Sequence, residues 1–332
     1  MSVDIDIDRI GSAADWNRLV ERSGQATPFH RYGALEAQAT HTDATCHCLV
    51  GYKGQEPVGL FPVFELQRGP ITGAFSPPPY LWVHTLGPAT IEPNGLKTRT
   101  AERRRRAFIE DCLDWIDREI SPKLRRVMTD PRYEDVRPFA WRGFDATPGY
   151  TYVVDLTVGT EALLGSFSSD ARSNTRYDRD YEIRVGDAAA AERIIEEVER
   201  RFDQQGVSFR LPPAFASDLY RALPEGRVRP YVCEVDGEFV GGIVTVEDER
   251  SIYRWQGAAR RDAEAPVNDL LDWRIMRDAI DRGLTRYDLV GAGTPRINRY
   301  KSKFGPDPVG IYNLERDAPG IDTLLRLYRR IR

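Results

Sequence analysis

Hydrophobic positions along this chain change period repeatedly, and each change marks an element. The opening run Met-Ser-Val-Asp-Ile-Asp-Ile-Asp alternates apolar and acidic residues, as a strand does. Ala13 to Ser23 carries Trp16, Leu19 and Val20 at helical spacing, and Arg31 to Thr40 suits a second helix. Cys46 to Tyr52 and Pro57 to Glu65 are β-rich runs joined by Lys53-Gly-Gln-Glu56, a hairpin signal. Phe75-Ser-Pro-Pro-Pro-Tyr-Leu-Trp82 cannot supply ladder donors at its prolines, which predicts a rigid extended loop or sheet edge. Thr100 to Ile120 is helical, Leu124 to Thr129 a strand, and a short helix or turn ends in Trp141-Arg-Gly-Phe144.

From Tyr150 the grammar starts again. Tyr150 to Leu156 is β-rich. Glu161 to Tyr181 reads as one polar, arginine-bearing helix. Glu192 to Phe202 and Phe215 to Ala222 are amphipathic helices, the second stopped by Pro224. Arg229 to Val235 and Glu238 to Val246 form a hairpin around Asp236-Gly237, and Ser251 to Gly257 is a third strand. Pro266 to Arg282 is a helix with Val267, Leu271, Ile275 and Ala279 in a stripe, ended by Gly283. Tyr287 to Val290 is a short buried strand, Val309 to Leu314 closes the sheet, and Ile321 to Ile331 is a terminal helix. Each half thus runs from early helices through a hairpin and a third β segment to a long helix and a further strand. That repetition predicts a duplicated α/β unit, residues 1–149 and 150–332.

Composition narrows the chemistry. With 41% hydrophobic and 30% charged residues the chain is globular, and a net charge of −4 confines any nucleic-acid contact to a local patch. No apolar run approaches the roughly 20 residues that span a bilayer. The start carries no signal-peptide pattern, so a cytoplasmic protein is expected. Cys46-His47-Cys48 would put its thiols on one strand face and its imidazole on the other, and no second ligand pair follows at zinc spacing, so no metal is expected. Ser76 has no histidine and acid in an evident relay, which argues against a serine hydrolase.

Of 47 basic residues only five are lysine, and two of these lie in Thr294-Pro-Arg-Ile-Asn-Arg-Tyr-Lys-Ser-Lys-Phe-Gly305. A basic, aromatic, glycine-ended loop after a buried strand suits an anionic ligand. Lys301 is the candidate for oxyanion or phosphate contact, with Tyr300, Lys303 and Arg296 beside it. Arg172 and Arg176, four apart on the expected helix, would bind phosphate or carboxylate, or else pair with Asp170, Asp178 and Asp180. Arg254-Trp-Gln-Gly-Ala-Ala259 fits the Arg-x-x-Gly-x-Ala pattern of a coenzyme A pyrophosphate loop. The alternative is that Trp255 and Gln256 line a pocket at a strand end, with Asn268 in the first turn of the next helix. Ser76 and Tyr80 would form a rim for an acceptor. Arg103 to Arg106 is either an anion site or a solvated face.

Several segments together resemble one family. Leu163-Leu-Gly-Ser-Phe-Ser-Ser-Asp-Ala-Arg172-Ser-Asn-Thr-Arg176, Gly283-Leu-Thr-Arg-Tyr-Asp-Leu-Val-Gly-Ala-Gly293 and Tyr300-Lys-Ser-Lys-Phe-Gly305 resemble the FemABX-like branch of the GNAT (acyl-CoA N-acyltransferase) superfamily. Its basic motif has Phe where this chain has Tyr300. The resemblance implies a mixed-sheet α/β fold of two tandem GNAT-like units, the second carrying the basic loop. It also implies an enzyme that moves an acyl or aminoacyl group from acyl-CoA or aminoacyl-tRNA to an amine, with no tightly bound cofactor and tRNA as a candidate partner. The helical tract between Asp187 and Arg210 is too short for the coiled-coil arm that resembles a tRNA-binding element in some members, so both donors stay open. The alternative is a non-catalytic module on a duplicated fold that binds a small molecule or RNA.

Overall fold

The computed structural model describes residues 4–93 and 95–321. The terminal helix expected after Ile321 lies outside them, as do Arg326, Arg329, Arg330 and Arg332. By packing, the described chain divides between Pro148 and Gly149. Residues Ile311–Ile321 pack with the first unit, and Tyr80–Trp82 with the second.

In the first unit, β1 (Asp6–Arg9), α1 (Ala13–Arg22) and α2 (Tyr32–Thr42) precede the hairpin of β2 (Thr45–Lys53) and β3 (Glu56–Arg68). Next come β4 (Ile71–Ser76), β5 (Ala89–Thr90), α3 (Thr98–Glu119), β6 (Leu124–Met128) and α4 (Arg137–Trp141). The sheet order is β1-β2-β3-β4-β6, with β5 on β3. Only the β4–β6 pair is parallel among these. α1 begins where the sequence predicts: Ser12 accepts from the Asp15 amide, and Trp16, Leu19 and Val20 turn inward. α3 lays Phe108, Ile109, Cys112, Leu113 and Ile116 on the sheet. Phe108 needs two facing glycines. Gly51 and Gly59 are register partners, and a Cβ on Gly59 would come 2.5 Å from the Phe108 ring. The thiols of Cys46 and Cys48 share a face, 3.9 Å apart, while His47 turns to Glu65 at 2.9 Å.

The second unit is built from β7 (Asp145–Asp155), α5 (Thr160–Ser166), α6 (Ser169–Asn174), β8 (Tyr181–Val185), α7 (Ala188–Asp203) and α8 (Pro213–Ala222). Then follow β9 (Val228–Val235), β10 (Glu238–Glu247), β11 (Ser251–Ala259), α9 (Val267–Asp281), β12 (Arg286–Asp288), α10 (Pro295–Lys301) and β13 (Asp307–Asp317), which from Ile311 belongs to the first unit. Residues Asn313–Asp317 of β13 pair antiparallel with β6 in the first unit's sheet. The second sheet runs β7-β12-β11-β10-β9-β8, parallel only between β11 and β12. A Cβ on Gly241 would meet Val267 of α9 at 3.0 Å, and one on Gly242 would meet Ile194 of α7 at 2.5 Å. Successive strand residues face opposite sides, so α9 and α7 cover opposite faces. On the α9 side Tyr231, Ile243, Ile252, Leu271, Ile275, Tyr287 and Leu289 form the core, joined by Phe167 and Phe304.

Two expectations change here. The single helix expected from Glu161 to Tyr181 is two short ones, ending at Asn174. Phe167 turns extended so that its ring meets Trp273 and Phe304 edge-on, and the Ser168 hydroxyl then caps α6. Burial of one aromatic ring outweighs continuation of a polar helix. The basic loop after Thr294 is also largely helical. Thr294 caps the Ile297 amide, Pro295 takes the first position, a 3-10 turn follows through Phe304, and Gly305 ends it at φ +66°.

Candidate functional site

β11 and β12 pair only as far as Tyr253 and Asp288. Beyond that point β11 follows β10, with Trp255 as an extra residue in a bulge, while the Leu289 amide bonds back to Tyr152 of β7. The polar side chains of the unit gather where the two strands part.

At their centre lies Asp272 of α9, fully buried. It accepts from Arg254 Nε at 2.9 Å and from the hydroxyls of Tyr287 and Tyr300 at 2.5 Å each. Burial alone would weaken the Arg254 charge, but Asp272 and the two tyrosines outweigh it, and the guanidinium is held above its ordinary value. Burial, then the Asp272 charge, push both tyrosines well above theirs, so both remain donors. Asn268, in the first turn of α9, meets Arg254 at 3.3 Å.

Lys301 closes the next shell. Its Nζ donates to the carbonyls of Val290 and Gly291, the latter at 2.7 Å. The amides of the same two residues are also held, Val290 N by Asp288 at 2.8 Å and Gly291 N by Thr151 Oγ1 at 3.1 Å. The Thr151 hydroxyl in turn donates to Asp288. This clamp holds Val290 at φ +53°, a left-handed conformation that β-branched residues rarely adopt. Burial lowers the Lys301 pKa to about 7. The Arg254 charge adds to that, and Asp272 and Asp288 oppose it. Lys303 is in an ion pair with Asp269 at 2.8 Å, reaches Asp170 at 3.4 Å, and lies 5.1 Å over the Tyr300 ring. Asn174 donates to the same Asp269.

Lys301, Tyr300, Lys303 and Asn268 therefore converge, while other candidates lie elsewhere. Arg172 donates to the carbonyls of Gly165 and Phe167, closing the end of α5. Arg176 lies beyond the end of α6 and is exposed, so the two arginines do not share a helix face. Arg254–Ala259 is β strand, paired to β10 through Gly241↔Ala259, and α9 starts only at Val267, so the segment is not a phosphate loop opening a helix. Trp255 and Gln256 are buried, the indole donating to the Trp82 carbonyl at 3.1 Å. Ser76 is fully buried in the first unit, donating to Pro62 at 2.6 Å and accepting from the Gly87 amide at 3.0 Å. Its hydroxyl is not available to an acceptor. Tyr80 is exposed with Arg210 over its ring, and Arg296 reaches Gln205 at 3.4 Å. In the Arg103–Arg106 run, Arg104, Arg105 and Arg106 pair with Glu56, Glu92 and Glu110, which favours the paired surface over an anion site.

Sequence reasoning missed Arg254 in this role, and with it Asp269, Asp272, Asp288 and Thr151. One signal was present. Asp272 lies on the inward side of α9, next to Leu271 and three residues before Ile275, where a charged residue calls for a buried partner.

Residues 166–302, which include Arg254, Asp272, Tyr300 and Lys301, match the family model of the acetyltransferase (GNAT) domain. Among solved structures the fold is similar to that of FemX, at 12% identity and a TM-score of 0.71 over 93% of this chain and 96% of that one. It is also similar to L-PGS from Bacillus licheniformis, at 14% identity and 0.58 over 98% of each chain. A tandem GNAT protein from the clavulanic acid biosynthesis pathway matches at 13% and 0.55, over 94% and 98%. No curated protein matches the sequence. The fold is thus the tandem GNAT fold, and its second unit carries the segment that matches the acetyltransferase (GNAT) domain. Within that class it resembles the FemABX-like branch, as its basic segment suggests. Among the described residues no helix is long and apolar enough to cross a membrane.

Proposed function

We propose that the protein transfers an aminoacyl group from an aminoacyl-tRNA to an amine, with Lys301 accepting the proton of the attacking amine. The observation that carries this reading is the holding of Lys301 by two backbone carbonyls. A neutral amine keeps two N–H groups for those carbonyls and leaves one lone pair free. The protonated form places a third N–H in that direction. Near pH 7 both forms are populated, which suits a general acid–base group. The incoming amine would lose its proton to Lys301 as its nitrogen bonds to the ester carbon. As the tetrahedral intermediate collapses, the ribose oxygen would leave and take the proton back from the ammonium. The products are an amide and a free hydroxyl.

Two features favour tRNA over coenzyme A as donor. Arg254–Ala259 is a strand and α9 begins only at Val267, so the segment does not lead directly into a helix N-terminus as a pyrophosphate loop does. The first turn of α9, where a pyrophosphate would lie, carries the Asp269 carboxylate. Acyl-CoA should therefore leave the melting temperature unchanged. Charged tRNA should bind with an affinity that falls steeply with salt. A melting temperature that climbs with coenzyme A, with no tRNA binding, would reassign the donor to acyl-CoA.

The second reading, a binding module without turnover, draws on the engagement of both lysines by protein partners. Amine-dependent release of deacylated tRNA would exclude it.

A further inference from the structure

Tyr80 and Trp82 are large aromatic residues, 52% and 40% exposed, and both have positive φ, +76° and +53°. Bulky side chains rarely adopt that conformation, and it persists where the surroundings impose it. Here the Trp82 carbonyl is held by the Trp255 indole N–H. The Trp82 ring rests on Phe202 and Phe209, at 5.6 and 5.5 Å, and those two rings stack at 4.8 Å. The segment therefore presents two aromatic rings toward solvent, that of Trp82 braced from beneath.

Basic residues outnumber acids around these rings. Arg210 lies 5.1 Å over the Tyr80 ring. Arg296 reaches Gln205, whose own amide bonds to Phe202, so it borders the same support. Among the described residues neither arginine forms an ion pair, although most arginines of this protein do. From Leu289 to Pro306 the chain carries Arg296, Arg299, Lys301 and Lys303 and no acid; between Phe202 and Leu211 the one acid is Asp203. Flat rings beside unpaired guanidinium groups match stacked bases joined by phosphates.

We propose that Trp82, braced by Phe202 and Phe209, and Tyr80 form a stacking platform for the single-stranded end of the donor RNA, with Arg210 and Arg296 on its phosphates. The proposal rests on the reading of the donor as aminoacyl-tRNA. A single stacked base is a contact no better than about millimolar, so a mononucleotide would be held weakly. A strand that lays several bases and phosphates across the patch gains from each.

The test is fluorescence anisotropy of the full-length protein with a labelled seven-nucleotide single-stranded RNA, at two salt concentrations. Tyr80→Asn is the informative variant, because asparagine accepts a left-handed backbone more readily than tyrosine. It should weaken binding about 10-fold while the melting temperature stays level or rises, which loss of a merely structural ring would not do. Arg210→Ala should weaken binding and flatten the logarithmic salt slope by about 0.7. The proposal is overturned if the wild type does not bind the RNA, or if both variants bind it as the wild type does. Equal displacement by coenzyme A or adenosine monophosphate would assign the platform to a free nucleotide instead. Turnover of aminoacyl-tRNA by the wild type, measured in parallel, separates the cases: the donor reading survives when turnover persists although platform variants bind RNA normally.

Discussion

Lys301→Met is expected to lower kcat/KM for amine acylation by about 10²-fold or more, the usual contribution of a positioned general base. Its pH dependence carries the sharper test. Wild-type kcat/KM should rise as pH passes through about 7, where Lys301 loses its proton, and the variant should lose that limb. Lys301→Arg should not restore activity, because a guanidinium stays protonated. If Lys301 acts by fixed charge on an oxyanion or phosphate, arginine should rescue in part and the limb should come from another group. Rates are compared well below each melting temperature, since Lys301 also bonds the Val290–Gly291 turn. Stability should follow the same titration. The folded pKa of about 7 lies below the ordinary 10.5, so between those values the unfolded chain binds more protons than the folded one. Wild-type stability relative to Lys301→Met should therefore rise with pH across that window, and the cost of burying the charge should be complete below pH 7. A melting-temperature difference that does not change between pH 6 and 9 would contradict the burial argument.

Asp272→Ala should be the most destabilising change in the second unit. It leaves Arg254 buried without its counter-charge and frees the hydroxyls of Tyr287 and Tyr300. Loss of one member of a buried pair costs about 3–5 kcal/mol, or roughly 6–20 °C in melting temperature for a unit of this size. The double variant Asp272→Ala/Arg254→Met should recover part of that loss, because the orphaned charge goes too. Tyr300→Phe removes one hydrogen bond and should cost only about 1 kcal/mol. Calorimetry on the three variants decides. Equal losses in the single and double variants would mean that cavity formation, not the stranded charge, dominates.

Resemblance at the level of motifs picked out a segment whose basic and aromatic residues do lie together, but not their contacts. Tyr300, Lys301 and Lys303 lie together, but Lys303 is neutralised by Asp269 and Lys301 faces carbonyls of its own chain. The Arg-x-x-Gly-x-Ala match at Arg254 picked a residue of the site for a reason the structure does not bear out. Arg254 matters through its side chain and Asp272, not through a phosphate loop. Ser76 and Arg172 were plausible ligands by residue type, yet each is occupied by backbone partners close in space.

What the chain determined by itself is whatever neighbouring residues can decide alone. Asp236-Gly237 makes a hairpin turn because both residues accept positive φ, +51° and +76°, whatever surrounds them. The stripe Val267, Leu271, Ile275 makes α9 inward-facing through helical geometry alone. The tertiary structure decided matters that depend on groups far apart in sequence. Phe167 breaks its helix because Trp273 and Phe304 offer it a core. Asp272 is held in the interior because Arg254, Tyr287 and Tyr300 reach it from two strands and a helix. A buried charge is tolerable only where its partners meet, and that meeting place depends on strand order and register, which no local window of the sequence contains.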